Sequence, residues 1–358
     1  MNSAKVLFVW SRMGDYHWAR IIELTQSHPD IEVYTADLGG SDALYKWQSK
    51  DSKNHTVLSN QPVEQLDLKR ILRLIRLVRQ NKIRTVFFAG YGKKELLLSA
   101  LLLRLISKTH LIVFFESWYA SSSTWSNKMK GKFLGFTYHS FFASGFRAKE
   151  HLMRTFDIED QRIKVGYSVI DNEHFKRPPN VKYALENKTL LCVARFAPEK
   201  NIETLVKCFR DSKLFRSGWT LNLVGGGELF DYLNKNYASQ QINFSQWVSY
   251  PELPNIFHLS TAFILGSTFE PWGLVVNEAM AAGLPVLMSK DVGCEPDLTI
   301  DQKLNFDPKN PDEIINAMNY LENMEVTQMN ELSEASIKRI KKFDLNSWSN
   351  TVAQWINP

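Results

Sequence analysis

The chain has 358 residues, 44% of them hydrophobic and 23% charged, with a formal net charge of +5. That length suits two domains of ordinary size, and the apolar content supplies a core for each. The 3 cysteines, Cys192, Cys208 and Cys294, are scattered, odd in number and set among apolar neighbours, so they exclude a disulfide framework and read as buried thiols in a reducing compartment.

Strands and helices alternate along the chain. In the N-terminal half the pattern predicts strands at 5–10, 31–36, 85–89, 111–115 and 139–143, and helices at 16–27, 64–82, 94–107, 125–136 and 147–154. Met1, Asn2, Ser3, Ala4 and Lys5 run straight into the first strand, so no signal peptide is expected. Residues 96–105 are the most apolar stretch. Ser99 and Arg104 interrupt them and they are too short to span a bilayer, which predicts a buried helix. The loop Arg177, Pro178, Pro179, Asn180 reads as a linker, and a new βαβ series starts at Thr189. The expected organisation is therefore α/β: two Rossmann-like, doubly wound parallel-sheet domains at 1–177 and 178–340, facing across a cleft. A C-terminal helix at 341–358 is expected to pack back on the first domain.

Charge is uneven. Residues 1–175 carry 25 Lys and Arg against 17 Asp and Glu, and the remainder 18 against 21. The excess gathers in Lys69, Arg70, Arg73, Arg76, Arg79, Lys82 and Arg84, interleaved with apolar residues as an amphipathic helix. A second cluster is Trp125, Lys128, Met129, Lys130, Lys132 and Phe133. Such clusters read either as solvated helix faces or as surfaces for an anionic membrane. No groove-reading or base-stacking motif accompanies them, so nucleic acid is not expected as a partner.

Five segments carry chemistry. After the first strand, Gly14 opens a helix; after the fourth, Glu116 follows Phe115. In the second half, Arg195 and Lys200 follow a strand and precede a helix. Together they can neutralise a diphosphate, although each alone reads as a surface charge. Gly225, Gly226 and Gly227 end the next strand, as a tight turn or as a place where backbone approaches a ligand. The fifth segment is the most informative. Residues 261–265 form a strand, Glu270 and Pro271 lie in a loop, Gly273 precedes a helix, and Gly283 caps it. The first amides of that helix, around Trp272, Gly273 and Leu274, suit an anion. Glu278 lies about two turns on, where a carboxylate suits a vicinal diol such as a ribose. On spacing alone, a helix-start glutamate plus an ordinary surface glutamate fits equally well.

The run E-P-W-G-L-V-V-N-E-A-M-A-A-G-L-P-V resembles the E-x7-E segment of the retaining glycosyltransferases of family 4 (glycosyl transferases group 1), which have the GT-B fold. The resemblance implies that Glu270 binds donor-sugar hydroxyls and Glu278 the ribose, with Trp272, Gly273 and Leu274 at the diphosphate. It implies that Arg195 and Lys200 are diphosphate ligands of an R-x4-K element, whose usual following glycine is Asn201 here. Gly225 and Gly226 would lie under the nucleotide, and Val248, in the strand end 244–250, would border the base. Gly14 matches the glycine of the first loop, which lacks its usual partner glycine. Glu116 stands near a position that often carries His or an acid, the alternative being a helix-start glutamate; His17 and His139 read as structural. The implied activity is transfer of a glycosyl group from a nucleotide-sugar to a hydroxyl of a saccharide or lipid-linked saccharide. It would be retaining, hexosyltransferase-like and metal-independent, and serve surface polysaccharide synthesis (O-antigen, capsule or exopolysaccharide). The donor is a substrate, and no cofactor is expected. The implied location is cytoplasmic, peripheral on the inner face of the plasma membrane. Two alternatives stay open: a non-catalytic nucleotide-sugar-binding protein, and a GT-B nucleotide-sugar epimerase. A dinucleotide oxidoreductase is disfavoured because no G-x-G-x-x-G follows the first strand.

Overall fold

The structure is a computed structural model that describes residues 4–39, 54–63, 65–118, 124–178 and 185–356. Pro179 and Asn180 of the expected linker lie outside the described residues. The chain divides into two compact units, one of Met1–Val169 with Leu345–Pro358 and one of Ile170–Asp344. The division thus comes before the Arg177 loop on which the sequence placed it. The cause is Phe175, which is fully buried among residues of the second unit: His258 Nε2 lies 2.9 Å from the Phe175 carbonyl, and the His174 ring stacks on Tyr250 at 4.4 Å.

The first unit holds a seven-stranded parallel sheet. Its strands are β1 Ala4–Trp10, β2 Ile31–Asp37, β3 His55–Val57, β4 Thr85–Ala89, β5 His110–Phe115, β6 Ser140–Ala143 and β7 Ile163–Val165, in the order β3-β2-β1-β4-β5-β6-β7. β1 is buried from Val6 to Trp10, as a strand covered on both faces must be. One face carries an aromatic stack: Phe8 lies 4.7 Å from Phe87, and Phe114 lies 4.2 Å from Tyr167. The helix Leu345–Ile356 sits on it, with Trp348 5.7 Å from Phe8 and Trp355 5.1 Å from Phe142.

The second unit holds a six-stranded parallel sheet: β8 Thr189–Val193, β9 Thr220–Val224, β10 Ile242–Ser245, β11 Ala262–Leu265, β12 Val286–Ser289 and β13 Asn305–Phe306, in the order β10-β9-β8-β11-β12-β13. In each sheet the chain winds outward one way and then the other. The reversal falls between β1 and β4 in the first sheet and between β8 and β11 in the second, and ligands of such sheets bind beside the strand ends at this point.

Two sequence expectations are corrected. Arg70 is not a surface charge: it is 1% exposed, donates to the carbonyls of Leu38, Gln61, Pro62 and Gln65, and pairs with Glu95 at 2.9 Å. A guanidinium with five donors can be buried when every donor is taken. Nor is the helix over 96–105 buried all round. It runs Lys94–Ile106 and shows solvent Leu98, Leu102, Leu105 and Ile106, because it packs on the sheet by one face only.

Candidate functional site

In the second unit the loops after β8 and β11 meet at the reversal point. Lys200 forms an ion pair with Glu270, and the two side chains are only 16% and 15% exposed. Arg195 pairs with Glu199. The loops are also tied through backbone: the Thr268 amide donates to the Glu199 carbonyl at 2.8 Å. The Glu270 amide donates to the Asp291 carbonyl at 3.2 Å, and Gly293 donates to the Glu270 carbonyl at 2.9 Å, so the loop after β12 fixes the same residue. Burial acts to raise the Glu199 carboxyl, but backbone hydrogen bonding and the Arg195 and Lys200 cations hold it below the ordinary carboxylate value.

Asn201, where the family pattern has glycine, adopts φ 57°, ψ 29°. Asparagine tolerates this left-handed conformation better than other side-chain-bearing residues, so the backbone reason for a glycine is met.

Gly273 starts the helix Leu274–Ala281 at φ +97°, and a Cβ there would lie 3.1 Å from Val292 and 3.3 Å from the Glu270 side chain. Trp272 is buried, with Nε1 donating to Asn277 Oδ1 at 2.9 Å, which anchors the helix start beside Glu270. Leu274 is half-buried, and Glu278 is buried at 3% exposure.

The triple glycine serves the protein's own packing. Gly225 has φ +151°, and a Cβ on it would come 1.9 Å from the Ala194 carbonyl oxygen. Phe196 donates to the Gly226 carbonyl at 2.8 Å. A Cβ on Gly226 would lie 3.1 Å from Gln246 and Trp247, beside which Val248 sits half-buried. The loops after β8, β9 and β10 are therefore locked together next to Arg195.

In the first unit a cavity of about 470 Å³ opens at the other reversal point. Its walls include Trp10 and Arg12 after β1, Gly90 and Tyr91 after β4, and Glu116 and Ser117 after β5. Glu116 accepts from the Ser168 hydroxyl at 3.0 Å. Gly14 is the N-cap of the helix Asp15–Ser27, and its amide donates to Nδ1 of His17 at 2.9 Å. That bond keeps His17 neutral with its proton on Nε2. Burial, helped by the Arg20 charge, pushes its pKa down to about 3. His139 is likewise held by structure: its Nδ1 accepts from the Leu111 amide at 3.0 Å.

Of the sequence candidates, Gly14 and Glu116 thus belong to the first unit and the others to the second. Glu199 was not singled out from sequence, although its spacing of four from Arg195 was a signal. Trp10 and Tyr167 gave none, because a buried aromatic at a strand end looks like core. Among the described residues, no group of three or more His, Cys, Asp or Glu is placed to hold a metal ion.

Residues 174–342 match the family model described as glycosyl transferases group 1, a span inside the second unit. An uncharacterized glycosyltransferase of Methanocaldococcus jannaschii is 28% identical over 183 residues, covering 46% of this chain and 46% of the relative. The chain thus spans less than half the length of the curated relatives it matches. Among solved structures, Anabaena HepE in complex with UDP and glucose aligns with a TM-score of 0.73 at 16% identity, covering 99% of both chains. Sucrose-phosphate synthase from Thermosynechococcus elongatus aligns with a TM-score of 0.76 at 14% identity, covering 98% of both. At that identity the likeness establishes the fold: two Rossmann-like parallel-sheet domains of the GT-B type.

Proposed function

We propose that the chain is a glycosyltransferase of family 4 that moves a glycosyl group from a nucleoside-diphosphate sugar to a hydroxyl of a saccharide or lipid-linked saccharide, with retention at the anomeric carbon. The observation that carries this is the Lys200–Glu270 pair at the β8/β11 reversal, beside the start of the helix Leu274–Ala281. The family match over residues 174–342 supports it, as does the presence of UDP and glucose in the HepE structure.

The chemistry follows from charge. The barrier falls when the departing diphosphate is stabilised as its negative charge grows, and Arg195, Lys200 and the helix amides supply that. Glu270 holds the sugar hydroxyls so that the reacting carbon is presented to the acceptor hydroxyl in a fixed orientation. The acceptor hydroxyl forms the new bond on the face the diphosphate leaves, and its proton passes to the departing phosphate oxygen. Glu278 takes the ribose diol, Gly225, Gly226 and Val248 border the nucleotide, Gly14 serves the donor's reacting sugar and phosphate, and Glu116 serves the acceptor side. With two cations at the diphosphate, transfer is expected to need no metal. The product class is surface polysaccharide, made on the cytoplasmic side with the enzyme peripheral on the membrane.

The test is a thermal-shift and turnover screen against UDP-, GDP-, ADP- and TDP-sugars with EDTA present, alongside Glu270→Ala and Glu278→Ala. One donor should stabilise the wild type and neither variant, and NMR of the product should show the donor's anomeric configuration. Variants that bind donor as well as wild type would overturn the assignment.

A further inference from the structure

We infer that the outer helical layer of the first unit is a docking face for an anionic lipid bilayer. The face is formed by three helices of that layer, Leu68–Gln80, Lys94–Ile106 and Trp125–Thr137; a fourth, Phe146–Phe156, packs beside the last and lies at its edge, with its one acid, Glu150, paired to Arg154. The three lie side by side: Arg70 of the first bonds Glu95 of the second, and Arg104 of the second donates to the Phe136 carbonyl of the third at 3.0 Å.

Each helix turns an apolar stripe to solvent. Trp125, Met129, Phe133 and Phe136 follow helical spacing on the third helix, with Trp125 79% exposed. Leu98, Leu102, Leu105 and Ile106 do the same on the second, and Leu68 and Leu72 on the first. Ten of the nineteen exposed large hydrophobic residues described fall on these three helices, so the exposure is concentrated rather than the scatter any surface shows.

The exposed charge of these three helices has one sign. Lys69, Arg73, Arg76 and Arg79 stand on the first helix, Lys94 and Arg104 on the second, and Lys128, Lys130 and Lys132 on the third; all are exposed. The three helices hold a single acid, Glu95, which is 4% exposed and paired with buried Arg70. A face of cations and large apolar side chains without an exposed carboxylate has one good complement. Lipid phosphates take the cations while the acyl boundary takes the apolar stripes. A second copy would set like charges together, and a protein interface core is depleted of lysine. No described helix is long and apolar enough to cross a membrane, so this contact lies on the surface.

The face also adjoins the first unit's cavity. Lys130 Nζ lies 4.6 Å from the centroid of Tyr91, which lines it. If the proposed transfer holds, the cavity opens beside the leaflet that carries a lipid-linked acceptor. This clause rests on that proposal, while the docking face does not.

The experiment is sedimentation of the full chain with phosphatidylcholine vesicles and with vesicles about one-third phosphatidylglycerol, without nucleotide-sugar, so that donor chemistry cannot affect the result. The chain should sediment with the anionic vesicles only, with a blue shift of tryptophan emission, and be released at about 0.5 M salt, where the Debye length shrinks to roughly 4 Å. Lys128→Glu with Lys132→Glu should weaken partitioning by roughly tenfold or more, and so should Trp125→Ser with Phe133→Ser, both with unchanged far-UV circular dichroism. The charge pair sits at exposed positions and keeps the test usable if the apolar pair fails to fold. No sedimentation with anionic vesicles at low salt, equal binding to neutral vesicles, unaltered binding by the charge pair, or self-association without vesicle binding would each overturn the proposal.

Discussion

At the ends of β8 and β11 the chain sets two cations on carboxylates, with Lys200 and Glu270 about one-sixth exposed. At the ends of β1 and β4 it leaves a cavity of about 470 Å³ walled by Trp10, Tyr91, Phe114 and Tyr167. The same topological position is thus filled with charge in one sheet and with aromatic surface in the other. Paired charges held by backbone suit a diphosphate, whose shape and charge do not vary. Aromatic walls with a few polar groups suit a sugar acceptor, whose ring faces are apolar and whose hydroxyls differ from one compound to the next.

The largest expected effect breaks the charged side of this contrast. Lys200→Ala removes the cation that pairs with Glu270; with the proposed role at the diphosphate, kcat/KM for donor should fall about 10²–10³-fold, measured as initial rates at fixed acceptor. Arg195→Ala should cost less, because its side chain is 39% exposed and works in higher dielectric.

Next comes the scaffold of that site. Gly225→Ala would drive a Cβ into the Ala194 carbonyl at φ +151°. It should destabilise the C-terminal unit by about 2–4 kcal/mol, seen as a lower urea midpoint for that unit with the first unit's transition unmoved.

The aromatic side is sharpened by Glu116→Gln. It should lower kcat/KM for acceptor about tenfold while the thermal shift given by donor stays at the wild-type value. Loss of donor binding in this variant would contradict the division of labour.

The smallest effect is a pH dependence from two histidines of the first unit. The His17 pKa is pushed down to about 3 and that of His139 to about 4, against an ordinary 6.5. Between those values the unfolded chain binds protons that the folded chain does not. These two histidines should therefore lower the first unit's stability as pH falls from 6.5 toward 3, and add no slope above about 7.5. Urea midpoints across this range should flatten in His17→Gln.

How much the sequence showed differs between the same two regions. In the second unit the candidates Arg195, Lys200, Glu270 and Gly273 sit at strand ends or a helix start marked by Gly, Pro or charge, so the sequence locates them, while spacing alone leaves their roles open. What spacing could not show is that Lys200 pairs with Glu270 across 70 residues, or that Gly225 packs closely against the Ala194 carbonyl. In the first unit the cavity walls are aromatic strand ends, indistinguishable in sequence from core, and only Glu116 and Gly14 stood out. The strands His55–Val57 and Ile163–Val165 are three residues each, too short for a period to show. Arg70 looked like its basic neighbours because the groups that bury it, the carbonyls of Leu38 and of the turn before its helix and the Glu95 carboxylate, leave no periodic mark in the sequence.

The central claim is that the β8/β11 reversal binds a nucleoside diphosphate through Lys200. Calorimetric titration of the nucleoside diphosphate whose sugar is turned over, into wild type and Lys200→Ala, tests it most directly. The expected result is at least tenfold weaker binding by the variant, with its fold unchanged by circular dichroism. Equal affinity in the two proteins would contradict the claim and move the donor site elsewhere.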